Sequence, residues 1–280
     1  MGLQITEQVV IERATLMPAF PKVVTDILAT IDDDGATLGS LVHHVEHDPV
    51  ITARVLSIAN AAMQGGRTGS DVHDVRNAIS RIGLTRLRDI ALAVSLAEFA
   101  HGCRMGAYFW EHSVAVGICA LELRRFCHKG NDYALVGGLL HDIGQLWMAH
   151  FHPAEFQKVR SAVSAGDHSI IQVEQQHFGV DHCFIGQILA RHWGLPASVV
   201  DAIYYHHEPE AGLDGDELVA IIHVAEVFSN ALDLTGRDGN MVPGVSEAAC
   251  QRLGIDWSQD LSPLLGRIEA RAKYASSVFR

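Results

Sequence analysis

Seven side chains in this 280-residue sequence could hold a metal ion: His112, His141, Asp142, His182, His206, His207 and Glu226. The central pair is His141-Asp142, set in the apolar run Leu139-Leu140-His141-Asp142-Ile143-Gly144. An imidazole and a carboxylate in such surroundings are costly unless something compensates their polarity. A cation does so. Neighbours on a helix point about 100° apart, yet a long imidazole and a short carboxylate can converge on one ion beside the helix. Imidazole suits zinc and iron, while a carboxylate also accepts manganese or magnesium and can bridge two ions. The expected cofactor is one or two divalent ions drawn from iron, manganese, zinc and magnesium.

The other candidates are spread along the chain. His112 lies in Trp110-Glu111-His112-Ser113, and His182 stands one turn before Gly186. His206-His207 precedes Glu208-Pro209, and Glu226 ends the apolar stretch Ile221-Ile222-His223-Val224-Ala225-Glu226. Each falls near the apolar face of a different helix, the distribution that a metal site inside a helical bundle requires. Plainer roles compete with ligation. His141-Asp142 could be a helix-packing hydrogen bond, Glu226 half of a surface ion pair, and His206-His207 a helix end favoured by the C-terminal dipole. The other histidines read as surface or packing groups. Trp110, Trp147 and Trp193 read as core, Asp48 as a helix cap, and Cys183 has no partner that points to nucleophilic catalysis.

The elements that must position these side chains read as helices throughout. Pro18 and Pro21 flank the opening of a helix carrying Val23, Val24, Ile27, Leu28 and Ile31, at helical period. Asp32-Asp33-Asp34-Gly35 ends it, and a helix over 38–45 follows. Asp48-Pro49 reads as an N-cap with proline at the first helical position. That helix runs until Gly65-Gly66, and Gly83 separates helices over 75–82 and 85–99. Further helices are expected over 109–127, 134–150, 153–165, 170–178, 182–193, 197–206 and 217–231. Residues 233–245 form a loop, and 246–279 a last helical region. No segment alternates for long enough to make a sheet. The fold class is all-α, with an N-terminal helical subdomain over 1–100, a helical bundle over 101–235 and an extension over 236–280.

Bulk properties narrow the partners. The net charge of −12 argues against nucleic acid, which needs clustered Lys and Arg, and against an anionic membrane surface. The apolar run over 90–100 is about half the roughly 20 residues of a bilayer crossing. Residues 1–10 lack the basic start and apolar core of a signal peptide, although Met1-Gly2-Leu3-Gln4-Ile5-Thr6 fits a loose myristoylation pattern. Five cysteines without C-x-x-C spacing suit a reducing, cytoplasmic compartment.

The order of a histidine, a His-Asp pair and a later acidic residue resembles the HD superfamily of metal-dependent phosphohydrolases. The extra histidines at 182, 206 and 207 are similar to its HD-GYP branch, whose members hydrolyse cyclic di-GMP. The chain as a whole resembles more closely the HDOD family, the HD-related output domains of bacterial signalling. That resemblance rests on residues 16–21, Asp48-Pro49 with Arg54, Leu56, Ala59 and Asn60, and Ala78-Ile79 leading to Ile82-Gly83. Phe109-Trp110-Glu111-His112, Gly138 with Leu139 to Gly144, Phe178-Gly179, His182, Trp193-Gly194-Leu195-Pro196 and His206-His207 continue it over 16–232. It implies one ion held by His112, His141, Asp142 and Glu226, and a second held by His182, His206 and His207, with Asp142 bridging. Such a pair would acidify bound water and polarise a phosphate. Four positions depart from the hydrolase pattern. Gln145 stands for a phosphate-holding lysine, residues 208–212 lack the GYP segment, Glu226 replaces aspartate, and Tyr108 replaces the glutamate of three-metal members. The expected function is regulation through a signalling partner or a bound nucleotide. The alternatives are a metal-dependent phosphohydrolase acting on a nucleotide or cyclic dinucleotide, and a metal-free scaffold.

Overall fold

Side chains of Thr6, Asp48, Asp74, Ser169, Asp181 and Ser246 cap the starts of helices, and Gly83 and Gly179 end two of them. In the computed structural model, which describes residues 4–31, 38–63, 72–103, 107–127, 131–164, 169–214, 216–235, 242 and 244–278, there is no strand among the described residues. The turn signals at Asp32-Asp33-Asp34-Gly35 and Gly65-Gly66 lie outside them, as does the myristoylation pattern apart from residues 4–6. Thr6 opens α1 (Glu7–Ala14) by accepting the Val9 N–H. Sequence reasoning passed over this helix, although Val10 and Ala14 share its buried side.

The described residues fall into two compact units, 20–101, and 4–19 together with 102–277. The first contains α2 (Lys22–Ala29), α3 (Leu38–Glu46), α4 (Pro49–Met63), α5 (Val75–Ile82) and α6, which starts at Leu84. Asp48 caps α4 as expected, its Oδ1 accepting the Ile51 N–H at 3.1 Å. Val75, Ala78 and Ile79 turn one face of α5 inward, and Gly83 ends it at φ 85°, a backbone that glycine adopts without strain.

The second unit carries every candidate ligand. It comprises α1 and α7 (Ala107–Leu123), α8 (Ala134–Leu140), α9 (Ile143–Phe151), α10 (Pro153–Ser164), α11 (Ile170–Phe178), α12 (His182–His192), α13 (Ala197–Tyr205), α14 (Leu218–Ala231), α15 (Glu247–Arg252) and α16 (Ser262–Val278). Helix α7 packs on α8 and α14, and α12 packs on α9 and α13. Two glycines allow the closest approaches. A Cβ on Gly138 would stand 2.6 Å from the Gly117 Cα, so α8 touches α7 backbone to backbone. A Cβ on Gly144 would stand 2.0 Å from the His182 carbonyl oxygen, so α9 lies directly on the start of α12.

One expectation changes here. The single helix expected over 134–150 is two, because Asp142 leaves the helical region at φ −96°, ψ 16°. The helical region expected over 246–279 consists of α15 and α16, with Gly254 at φ 65° between them. No described helix is long and apolar enough to cross a membrane.

Candidate metal centre

The break between α8 and α9 aims both side chains of His141-Asp142 into the bundle, where they are 0% and 5% exposed. Helix α7 brings His112 to 3.7 Å from Asp142 Oδ2, and His141 Nε2 lies 3.5 Å from the same oxygen. The other carboxylate oxygen, Oδ1, stands 3.2 Å from His182 Nε2 and 3.8 Å from His206 Nε2. His206 and His207 follow the end of α13, with their rings 4.3 Å apart. Glu226 comes from α14 and shares a group of possible ligands with His141 and His206.

All seven expected residues therefore enter one continuous cluster. It contains three overlapping groups whose ligand atoms lie within 4.8 Å of one another: His112, His141 and Asp142; His141, His206 and Glu226; and His182, Cys183, His206 and His207. Cys183 joins by geometry that its neighbours in sequence do not reveal.

Hydrogen bonds fix which nitrogens face inward. His141 Nδ1–H donates to the Gly138 carbonyl at 2.8 Å, and His206 Nδ1–H to the Ile203 carbonyl at 2.9 Å. His182 Nδ1–H donates to Glu174 Oε2 at 2.6 Å, and the His182 backbone N–H reaches the same oxygen at 2.8 Å. A neutral imidazole with its proton on Nδ1 has only a lone pair on Nε2. Three such lone pairs converge on the Asp142 carboxylate, itself an acceptor. His182 Nε2 and His206 Nε2 are only 3.3 Å apart, and two lone pairs at that distance repel unless a metal ion or a proton lies between them. His141 Nε2 is buried with no hydrogen-bond partner. This donor set fits a divalent metal.

Charge follows the same logic. Burial pushes Asp142 up, but His141, His182 and His112 outweigh it and hold the carboxyl well below its usual range. Burial pushes His182 down, yet Cys183, Glu174 and Asp142 outweigh it and raise its pKa well above an ordinary imidazole. Burial, with His207 and His141, keeps His206 neutral far below the usual value. Burial and His182 lower His207 to about 3. Burial beside Asp142 raises Glu226 to about 8. Without a metal, a proton on His182 is a cation beside the carboxylate, while the lone pairs of His206 and His207 remain.

Glu174 is the site residue that sequence reasoning missed. It is fully buried on α11 and sits one turn from Phe178, on the same inward side. An acid on a core-facing stripe is the signal that could have revealed it. Gly179, at φ 77°, turns the chain so that Asp181 caps α12 and His182 begins it, facing Glu174. His223 proves to be a packing group: its Nδ1–H donates to the His206 carbonyl at 2.7 Å and its Nε2 accepts the Ser246 N–H at 2.9 Å. Tyr108's side chain lies outside the described residues.

A family profile described as the HDOD domain matches residues 17–209. This chain belongs to the HDOD family. Six of the seven candidate ligands fall within the HDOD match, and Glu226 lies beyond it. A curated relative, an uncharacterized protein of Treponema pallidum (strain Nichols), is 23% identical over 229 residues. The match takes in 79% of this HDOD chain and 44% of that protein, so the chain spans less than half the length of its relative. Among solved structures, an HDOD domain protein with unknown function from Geobacter sulfurreducens aligns with a TM-score of 0.75 at 22% identity, over 96% of this chain and 98% of the other. A candidate signal transduction protein from Marinobacter aquaeolei VT8 aligns at 0.73 and 22% identity, over 100% and 63%. A candidate phosphohydrolase from Shewanella amazonensis SB2B aligns at 0.68 and 22% identity, over 96% and 95%. The HDOD chain thus has the all-helical fold of these proteins.

Proposed function

We propose that this HDOD chain is a bacterial cytoplasmic signal-transduction protein built around a divalent metal centre, acting on a protein partner or through a bound nucleotide. The convergence of the His141, His182 and His206 Nε2 lone pairs on Asp142 carries the reading. His112, His141, Asp142 and Glu226 would hold one ion, and His182, His206 and His207 a second, with Asp142 between them. Bound there, the metal supplies positive charge that fixes the junctions of α7, α8, α9, α12 and α13 relative to one another. Glu174 orients His182, and the Gly138 and Ile203 carbonyls orient His141 and His206.

Regulation is favoured over turnover because most of the candidate ligands are deeply buried. His141, His182 and His206 are 0% exposed, His112 and Glu226 stay below 9%, and His207 is partly exposed. Gln145, three residues after Asp142, offers no positive charge to hold a phosphate. The test is elemental analysis of the purified protein beside Asp142→Ala and Asp142→Asn, with a phosphodiester hydrolysis assay on each. Stoichiometric metal lost in both variants, without hydrolysis in the native protein, is the expected result. Metal-dependent hydrolysis that disappears with Asp142 would move the chain to the phosphohydrolases. Equal, trace metal in all three proteins would leave a scaffold.

A further inference from the structure

Cys183 does not behave as an ordinary core cysteine. It is 5% exposed, with Sγ 3.6 Å from His182 Nε2 and 3.8 Å from His206 Nδ1. Its group with His182, His206 and His207 offers one sulfur and three imidazoles within 4.8 Å. His207 Nε2 in that group is inaccessible and has no hydrogen-bond partner. A tetrahedral zinc site has metal–nitrogen bonds of ~2.0 Å and metal–sulfur bonds of ~2.3 Å, which imply nitrogen–nitrogen edges of about 3.3 Å and nitrogen–sulfur edges of about 3.5 Å. The His182–His206 Nε2 separation is 3.3 Å and the His182–Cys183 separation 3.6 Å. Two edges of the polyhedron are already at the required lengths.

We propose that Cys183 is a thiolate ligand of the ion held by His182, His206 and His207, and that it makes this position selective for zinc or iron(II) over magnesium and manganese. The inference rests on the metal centre proposed above and names the ion class of its second position. On binding, the thiol loses its proton to solvent and the sulfur lone pair forms the metal–sulfur bond. A soft thiolate beside imidazoles prefers zinc and iron, whereas hard magnesium and manganese prefer oxygen. The set differs from an all-imidazole one because residue 183, directly after His182 at the start of α12, is a cysteine.

Cobalt(II) reads the ligand set directly. Metal-stripped full-length protein is titrated with cobalt(II), then with zinc against a chromophoric chelator, beside Cys183→Ser and Cys183→Ala. The native protein should show visible ligand-field bands together with a near-ultraviolet sulfur-to-cobalt charge-transfer band. The variants should keep the first, lose the second, and bind zinc at least tenfold more weakly with manganese binding unchanged. Ligand-field bands without charge transfer in the native protein would overturn the thiolate while leaving the metal centre standing. A charge-transfer band that survives in both variants would also overturn it. No cobalt spectrum at all would remove the metal centre itself. X-ray absorption of the zinc-loaded native protein needs no variant to fold: one sulfur scatterer at ~2.3 Å supports the proposal, and a shell of nitrogen and oxygen only refutes it.

Discussion

Replacing Gly144 with alanine should dismantle the metal centre without touching a ligand. The new methyl would sit 2.0 Å from the His182 carbonyl oxygen, 2.7 Å from its carbonyl carbon and 2.9 Å from its Cα. Ordinary contact begins at 3.4 Å, so α9 and the start of α12 must part by about 1.4 Å. The obstacle is backbone, which cannot rotate aside as a side chain could. Asp142 precedes α9 and His182 opens α12, so the 3.2 Å approach between them widens by a similar amount. Metal–ligand distances tolerate only ~0.2 Å, and overpacking of this kind costs about 1–3 kcal/mol or more. The same substitution at Gly266, exposed on α16 with nothing within 4 Å, is the control. It should stabilise by about 0.5–1 kcal/mol through helix propensity. Urea unfolding followed by the fluorescence of buried Trp147, with metal content measured on the same samples, reads both effects. A Gly144→Ala protein within 0.5 kcal/mol of native that keeps its metal would refute the close approach.

Three further outcomes follow from the structure. Glu174→Gln should weaken metal binding by about 10–100-fold, because the amide no longer enforces the His182 tautomer; unchanged affinity by competition titration would remove Glu174 from the centre. Asp48→Ala should cost about 0.5–2 kcal/mol through loss of the α4 cap and leave metal content untouched, since α4 belongs to the other unit; loss of metal would contradict this. Glu122 on α7 tests pH: burial pushes its carboxyl up, but Arg271, Arg267 and Arg125 outweigh it and hold the pKa below its ordinary value. A depressed carboxyl stabilises fully above its unfolded pKa of ~4.3 and loses that contribution as pH falls through the folded value. Hydrogen-exchange protection in α16, which carries Arg267 and Arg271, measured relative to the intrinsic rate at each pH, should therefore fall as pH drops below about 4.3 in native protein and be low already at neutral pH in Glu122→Gln.

Helical punctuation was legible because caps and glycines act locally. Asp48-Pro49, Gly83 and the run over 170–178 needed no tertiary information. The clustering of the seven candidate residues was legible for a different reason: histidines and acids on apolar faces are expensive, so each marks a compensating partner. What could not be read depended on packing or on backbone angles. The bend at Asp142 breaks an apolar run that carries no proline, and the Gly144–His182 contact joins residues far apart in sequence. Glu174 and Cys183 entered the centre only once α11, α12 and α13 had been brought together.

The centre itself is tested most directly by anomalous diffraction from crystals of protein grown in metal-replete medium and purified without chelator. Data collected on both sides of the zinc, iron and manganese edges should show one or two peaks at ~2.0–2.3 Å from an Asp142 oxygen and from the Nε2 atoms of His141, His182 or His206. A map with no anomalous density there, from protein with native folding, would contradict the account, since those converging lone pairs would then stand without the ion invoked to explain them.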